Sequence, residues 1–519
     1  MKLNRGVGFF SAIFVFAGLI FIFFSSIQTP ASHERVWPSS EWLTSSPESQ
    51  GMSSAKLDAM TRWVEDNGVK IDSVLVTRHG YIVYEMYFNP SYGVNSTHLL
   101  HSVSKSVTSA IVGVAVDRGL IHLDDKVLDY FPEMTIQNRG QWKEEITIKD
   151  LLTMTAGLQW DEWSTSYDSP LNDLYKMRTS INPYQYLLDK PMEAMPGEKW
   201  VYNTGISDLL TEIVKRATGS NFLDYGVQNI FSPLKISRCF WETDYYGRYL
   251  GGSTLSLTTR DMAKFGYLFL NNGTWDGKTI LSPGWVSESL RPVACPNISS
   301  GYGYQWWSYP ELGVYYASGR HEQGIYISPE LDLVVAITGS VSDDSASVYS
   351  PNNMLLNRYI LPACRDFSPK TLTYSKNNIT LTYPAGTVIR EVENGSIHEV
   401  LTFISNECKI IVFGNLPNFE NELRQEEILF LFKELKLNEN QSDYFFGNLA
   451  SIDSSDRKVM VQSFNATISG TRVEAINGYW YCDETHRHFI LMYVKIDEIL
   501  GEKQMINGFK SFLANIICH

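Results

Sequence analysis

Residues 101–119 read His101-Ser102-Val103-Ser104-Lys105-Ser106-Val107-Thr108-Ser109-Ala110-Ile111-Val112-Gly113-Val114-Ala115-Val116-Asp117-Arg118-Gly119. From Val107 onward the side chains are apolar or small nearly all round, which predicts a helix buried within the protein rather than one lying on its surface. Gly119 is placed to end it, because glycine accepts the left-handed backbone of a helix C-terminus. Ser102 and Lys105 stand three residues apart at the first turn, a spacing that brings both side chains to one face. A hydroxyl and an amine can therefore meet there, beside the unpaired N–H groups and partial positive charge of a helix N-terminus.

Ser-x-x-Lys is a cheap pattern, and this chain holds a second copy, Ser53-Ser54-Ala55-Lys56. That copy opens an amphipathic segment, 54–67, with Leu57, Met60 and Val64 on one side and Asp58, Arg62 and Glu65 elsewhere. It reads as a surface helix with an N-cap serine. The copy at 102–105 opens a buried helix, where a lysine is costly unless neutral or paired. A structural pair and a nucleophile–base pair both remain open from this local pattern.

The chain has 519 residues, 44% of them hydrophobic and 13% aromatic, enough for two or three globular domains with a large core. A net charge of −14 and the lack of a basic run argue against nucleic acid as a partner. Residues 6–32 carry no charge and follow Lys2 and Arg5. They predict a membrane anchor, or a cleaved signal, with the body outside the cytoplasm. Six cysteines (Cys239, Cys295, Cys364, Cys408, Cys482 and Cys518) permit disulfides in such a chain, with no pairing legible.

Beyond the leader 1–32, residues 33–365 predict one α+β domain. A hairpin at 73–77 and 81–88 precedes the buried helix, helices follow at 148–153, 183–188, 205–216, 259–270 and 282–290, and strands return at 313–317, 325–328 and 333–338. A last helix is expected at 353–361. Strands from both ends with helices between them imply one antiparallel sheet flanked by helices, with a helical lobe inserted. Residues 366–519 predict a small α+β accessory domain, with strands at 379–383, 399–403, 409–413, 458–464 and 488–494 and helices at 426–435 and 501–516.

Tyr202, in Pro196-Gly197-Glu198-Lys199-Trp200-Val201-Tyr202-Asn203-Thr204-Gly205, stands at a loop-to-helix junction, a suitable place for a phenol that reaches a buried site or for an ordinary core tyrosine. Asp161 and Glu162, between Trp160 and Trp163, read as the lining of a cleft mouth or, in preference, as a solvated loop. Cys482, His486 and His488 lack a usual zinc spacing, so no metal or cofactor is expected.

The motifs occur in a telling order: Ser102-Val103-Ser104-Lys105; Ile146-Thr147-Ile148-Lys149-Asp150-Leu151-Leu152-Thr153-Met154-Thr155-Ala156-Gly157-Leu158; Pro196-Gly197 with Tyr202; Leu257-Thr258-Thr259-Arg260-Asp261-Met262-Ala263-Lys264-Phe265-Gly266; and Gly301-Tyr302-Gly303-Tyr304-Gln305-Trp306-Trp307. With them, residues 40–345 resemble the β-lactamase-related serine hydrolases of the class C and penicillin-binding-protein superfamily, in particular the 6-aminohexanoate-dimer hydrolases and carboxylesterases. The resemblance implies a β-lactamase-like fold, an acyl-enzyme on Ser102, and Lys105 with Tyr202 as the proton-handling pair. Thr204 stands where many relatives have the Asn of Tyr-x-Asn. Ser318-Gly319-Arg320-His321-Glu322-Gln323-Gly324 replaces the Lys-Thr-Gly strand. Gly319 and Gln323 match the Gly-x-Gly-Gly-Gln of other relatives, so Thr204, Gly319 and Gln323 are the expected substrate or oxyanion residues. The expected activity is hydrolysis of a small amide or ester. β-Lactamase or D-Ala-D-Ala carboxypeptidase activity is the alternative, and a catalytically inactive surface-binding module is the reading of another class.

Overall fold

The computed structural model describes residues 35–38, 41–297, 300–342 and 350–368, and beyond 370 the strands alone. The chain divides into residues 1–36 and 37–519, and all the helices and strands named here belong to the second unit. The expected anchor lies outside the described residues, as do the helices expected at 426–435 and most of 501–516; Ile516 itself opens a strand, Ile516–Cys518. Among the described residues no helix is long and apolar enough to cross a membrane.

Eight antiparallel strands form the main sheet, in the spatial order Tyr81–Tyr87, Ile71–Arg78, Leu333–Gly339, Gln323–Ser328, Val314–Gly319, Trp307–Tyr309, Ser300–Tyr302, Ala294–Asn297. The strand Leu333–Gly339 is buried along its whole length. Its side chains alternate between two cores: Val334 and Ala336 join one, Leu333, Val335 and Ile337 the other. A strand apolar on both faces needs a cover on each. One cover is the helix Ser54–Asp66, with the helical run 351–363, which extends past the expected 353–361 and contains a wide π turn, Leu355–Ile360. The other includes Thr259–Leu270, where Gly266 permits close approach: a Cβ there would stand 2.7 Å from Val334 and 2.8 Å from Ile325.

The buried helix is Val103–Asp117, every residue of it from Val103 to Ala115 buried, and Gly119 closes it at φ +67°. Ser53 occupies the N-cap of Ser54–Asp66 without a capping bond; the carboxylate of Glu48 takes the Ser54 N–H instead, at 2.8 Å. Sequence periodicity passed over the three short strands between 294 and 309 and the helix Asp173–Thr179, which are too brief to show a repeat.

Past residue 370 the strands pair among themselves. Three form one sheet and seven another, the latter ordered Val388–Asn394, Ile397–Ile404, Cys408–Gly414, Arg487–Lys495, Thr471–Cys482, Arg457–Ile468, Tyr444–Ser454. Each of the five expected strands is present there. Cys239 and Cys364 are both unpaired thiols.

Candidate active site

Ser102 caps the buried helix, and the residue before it, His101, is held at φ +48°, a left-handed conformation that a non-glycine side chain adopts at a cost. The sequence around it provides the brace. Ser106 donates to the Gln305 carbonyl at 2.6 Å, the Gln305 N–H donates to the Leu152 carbonyl at 3.0 Å, and Ser207 donates to the Gln305 side chain at 3.2 Å. Three of the ordered motifs thus meet beneath the helix start.

Lys105 is 2% exposed. Its Nζ stands 3.1 Å from Ser102 Oγ, 3.0 Å from Thr204 Oγ1 and 2.8 Å from the Gly252 carbonyl. Burial lowers its pKa from the ordinary lysine value to about 8; the carboxylates of Glu162 and Asp208 work against that and the Arg178 guanidinium adds to it. Tyr202 is brought to the same point from the turn before the helix Thr204–Thr218, whose N-terminus is capped by Asn203. Tyr202 and Ser102 line the same cleft, and Lys105 Nζ sits 4.8 Å from the centre of the Tyr202 ring. Burial, then the neighbouring Tyr302 and Glu162, push the phenol far above its usual range, so it stays protonated at neutral pH.

Glu162 is the member that sequence reading missed. Expected on a solvated loop, it is 2% exposed. It accepts from Thr204 Oγ1 at 2.6 Å through Oε1, and from the Thr204 N–H at 2.7 Å and Trp160 Nε1 at 2.8 Å through Oε2. Asp161 does lie at the surface, bonded to Ser164 and the Trp163 N–H. The only sequence signal was an acidic residue flanked by tryptophans, and its burial depends on a helix 42 residues away.

These bonds dictate the hydrogens on Lys105. The Gly252 carbonyl can only accept, and Thr204, whose hydrogen goes to Glu162, can only accept from Lys105. Two N–H bonds are therefore committed. The third position faces Ser102: an N–H in the ammonium, a lone pair able to take the serine proton in the amine.

The remaining expected residues separate. Gly319 ends the strand Val314–Gly319 against Ser102; a Cβ there would lie 2.3 Å from the Leu100 carbonyl and 3.2 Å from the Ser102 nitrogen. Gln323 does not line the cleft. Its amide donates to the carbonyls of Gly339, at 2.6 Å, and His321, at 3.2 Å, tying adjacent strands. Of the two departures from the relatives' motif, His321 packs edge-on against His101 with centres 4.9 Å apart, and Glu322 accepts from Ser350 Oγ and the Asn352 N–H. His101 is drawn down to about 4, first by burial and then by His321, and is neutral at physiological pH.

Ser102 opens into a cleft of two lobes, about 480 Å³ and about 380 Å³, that meet at Ser102, Tyr167 and Arg320. The larger is walled by aromatic rings, the smaller by polar groups such as His101, Arg178, Thr204 and Ser253. Among the described residues no cluster of ligands suits a metal, and the side chains of Cys482, His486 and His488 lie outside them.

Residues 58–349, more than half of the chain, match the β-lactamase family. The chain belongs to the β-lactamase family. As a serine hydrolase of that family, it is similar to 6-aminohexanoate-dimer hydrolase of Paenarthrobacter ureafaciens, 25% identical over 316 residues that cover 56% of this chain and 78% of the relative. Penicillin-binding protein 4* of Bacillus subtilis is 25% identical over 205 residues, 38% of this chain and 40% of that protein, so the likeness spans less than half of the second relative. A solved structure from Bacillus anthracis, assigned as a 6-aminohexanoate-dimer hydrolase, superposes with a TM-score of 0.50 at 26% identity, covering 58% of this chain and 81% of the other. The α+β fold expected for the family, an antiparallel sheet flanked by helices, is the one observed.

Proposed function

We propose that this β-lactamase-family hydrolase cleaves a small amide or ester through an acyl-Ser102 intermediate. The observation that carries the reading is the Lys105 amine, buried, drawn down to about 8, and left with a single uncommitted position 3.1 Å from Ser102 Oγ. The Lys105 lone pair takes the serine proton as Oγ bonds to the substrate carbonyl carbon, and the π pair moves onto oxygen. The Ser102 N–H and the adjoining backbone at Gly319–Arg320 would hold that oxyanion, the former worth about 3 kcal/mol. On collapse the bond to the leaving group breaks; Tyr202 gives that group its hydroxyl proton and regains one from the Lys105 ammonium. Water then enters and bonds to the acyl carbon as it loses a proton to the restored base; the acyl–Oγ bond breaks, the Lys105 ammonium returns that proton to Ser102 Oγ, and the acid leaves. The raised Tyr202 pKa favours phenol as donor over phenolate as base.

Likeness to a 6-aminohexanoate-dimer hydrolase supports amide or ester substrates over β-lactams, and so does Ser318-Gly319-Arg320 in place of Lys-Thr-Gly. A fluorophosphonate probe should label the wild type and spare Ser102→Ala; equal labelling of both removes Ser102 from the mechanism and revives the binding-module reading. Rapid nitrocefin turnover at low micromolar substrate would favour the β-lactamase reading. We place the body outside the cytoplasm, held by the uncharged stretch 6–32, because Lys2 and Arg5 precede it. Protease added to intact cells should then degrade the hydrolase domain, and its protection would reject that orientation. We divide the rest as a hydrolase domain and an accessory domain after it.

A further inference from the structure

The cleft is asymmetric about Ser102. Tyr202 lines the aromatic lobe and not the polar one, whereas Thr204, two residues on, lines the polar lobe and not the aromatic one. If Tyr202 protonates the leaving group, the proposed role on which this inference rests, the departing alcohol or amine occupies the aromatic lobe and the acyl group the polar lobe.

The aromatic wall is built in sequence. Tyr202, Trp307, Tyr316 and Tyr326 follow one another with successive planes 27°, 17° and 16° apart and centres separated by 6.2, 6.2 and 5.6 Å. Directly stacked rings have centres closer than this, so each neighbour is displaced sideways and leaves part of a face uncovered. Trp163 stands at the mouth, its indole 58% exposed while it stacks on Tyr202 at 4.8 Å. It extends the aromatic wall from Tyr202 and Trp200 out to the surface. Among the described residues the lining has one charged side chain, Arg320, and is otherwise uncharged. Burial holds its tyrosines as neutral phenols, and that of Tyr309 donates to Asn353 Oδ1 at 3.1 Å.

We infer that the aromatic lobe is a leaving-group subsite for a flat, uncharged aryl ring, so that the preferred substrates are esters and amides of arylalkyl alcohols and amines carrying a small acyl group. The test compares kcat/KM for 2-phenylethyl acetate and 2-cyclohexylethyl acetate, whose alcohols match in chain length and acidity but differ in flatness. About a ten-fold preference for the phenyl ester is expected from stacking on two rings. Trp307→Leu should cut that ratio at least about three-fold, and Trp163→Leu, at the surface, should do the same should the first variant fail to fold. A ratio at or below one in the wild type overturns the inference. Fluorophosphonate labelling of the same preparation separates the two readings. Labelled Ser102 with a flat ratio rejects only the subsite, and absence of labelling takes both down.

Discussion

Thr204 Oγ1 donates its hydrogen to Glu162 Oε1 at 2.6 Å and is thereby left only able to accept from Lys105. Glu162 is not in contact with the Lys105 amine, yet it determines where the lone pair of Lys105 points. In Glu162→Gln the amide oxygen must serve the Thr204 N–H and Trp160, which turns the amide NH₂ toward the Thr204 hydroxyl. That hydroxyl would then donate to Lys105 and compete for its lone pair. The loss of the carboxylate also removes a charge that favours the ammonium. The variant should therefore lose about 10- to 100-fold in limiting kcat/KM, within the range for proton transfer, with its ionisation moved to lower pH. A fall in Tm with the pH profile unmoved would make Glu162 merely structural.

In the wild type the base must be neutral, and burial sets it near 8. Activity should be low at pH 6, climb through pH 8 and level off above it, because raising the pH deprotonates Lys105 while Tyr202 remains a phenol. A profile flat from pH 6 to 9 would contradict the assignment.

Lys105→Arg keeps a cation but supplies no base, since a guanidinium holds its proton at any working pH. A loss of about 100-fold or more in kcat/KM, with a Tm only a few degrees lower, is expected on a p-nitrophenyl ester. Turnover close to wild type would leave Tyr202 as the next candidate.

Gly319→Ala tests the oxyanion side. Gly319 has φ −137°, an extended conformation open to any residue, so the obstacle is purely steric: the new methyl meets the Leu100 carbonyl at 2.3 Å and neither backbone can turn aside. Separation of the strand from Ser102 should cost about 10²–10³ in kcat. Circular dichroism should show the fold retained, and activity within two-fold of wild type would place the second oxyanion donor elsewhere.

The hydrolase domain also carries its own boundary test. Arg78, 3% exposed, makes two 2.6 Å bonds to the Asp366 carboxylate, and Phe367 packs on the core behind the sheet. A chain ending at 365 strands that arginine, and one ending at 368 keeps its partner. Residues 37–368 should turn over ester alone, and residues 37–365 should melt several degrees lower, because a buried charge without its partner is costly. Asp366 is half exposed, which moderates the loss. Equal melting temperatures would show that the pair contributes nothing.

What the sequence by itself determined is whatever depends on neighbours in the chain. The buried helix, its Ser-x-x-Lys start, the strands of the sheet and the ordered motifs are all local patterns, and a hydrophobic repeat survives in one dimension. Tertiary structure decided the rest. Thr204 and the Gly252 carbonyl come to Lys105 from 99 and 147 residues away, and no spacing rule connects them. Gln323 matched a motif yet braces two strands, while Glu162, in a loop that looked solvated, is buried and bonded to the threonine that Lys105 contacts. The reason is physical: the cost of a buried charge, and the bonds that offset it, exist only once packing has excluded water.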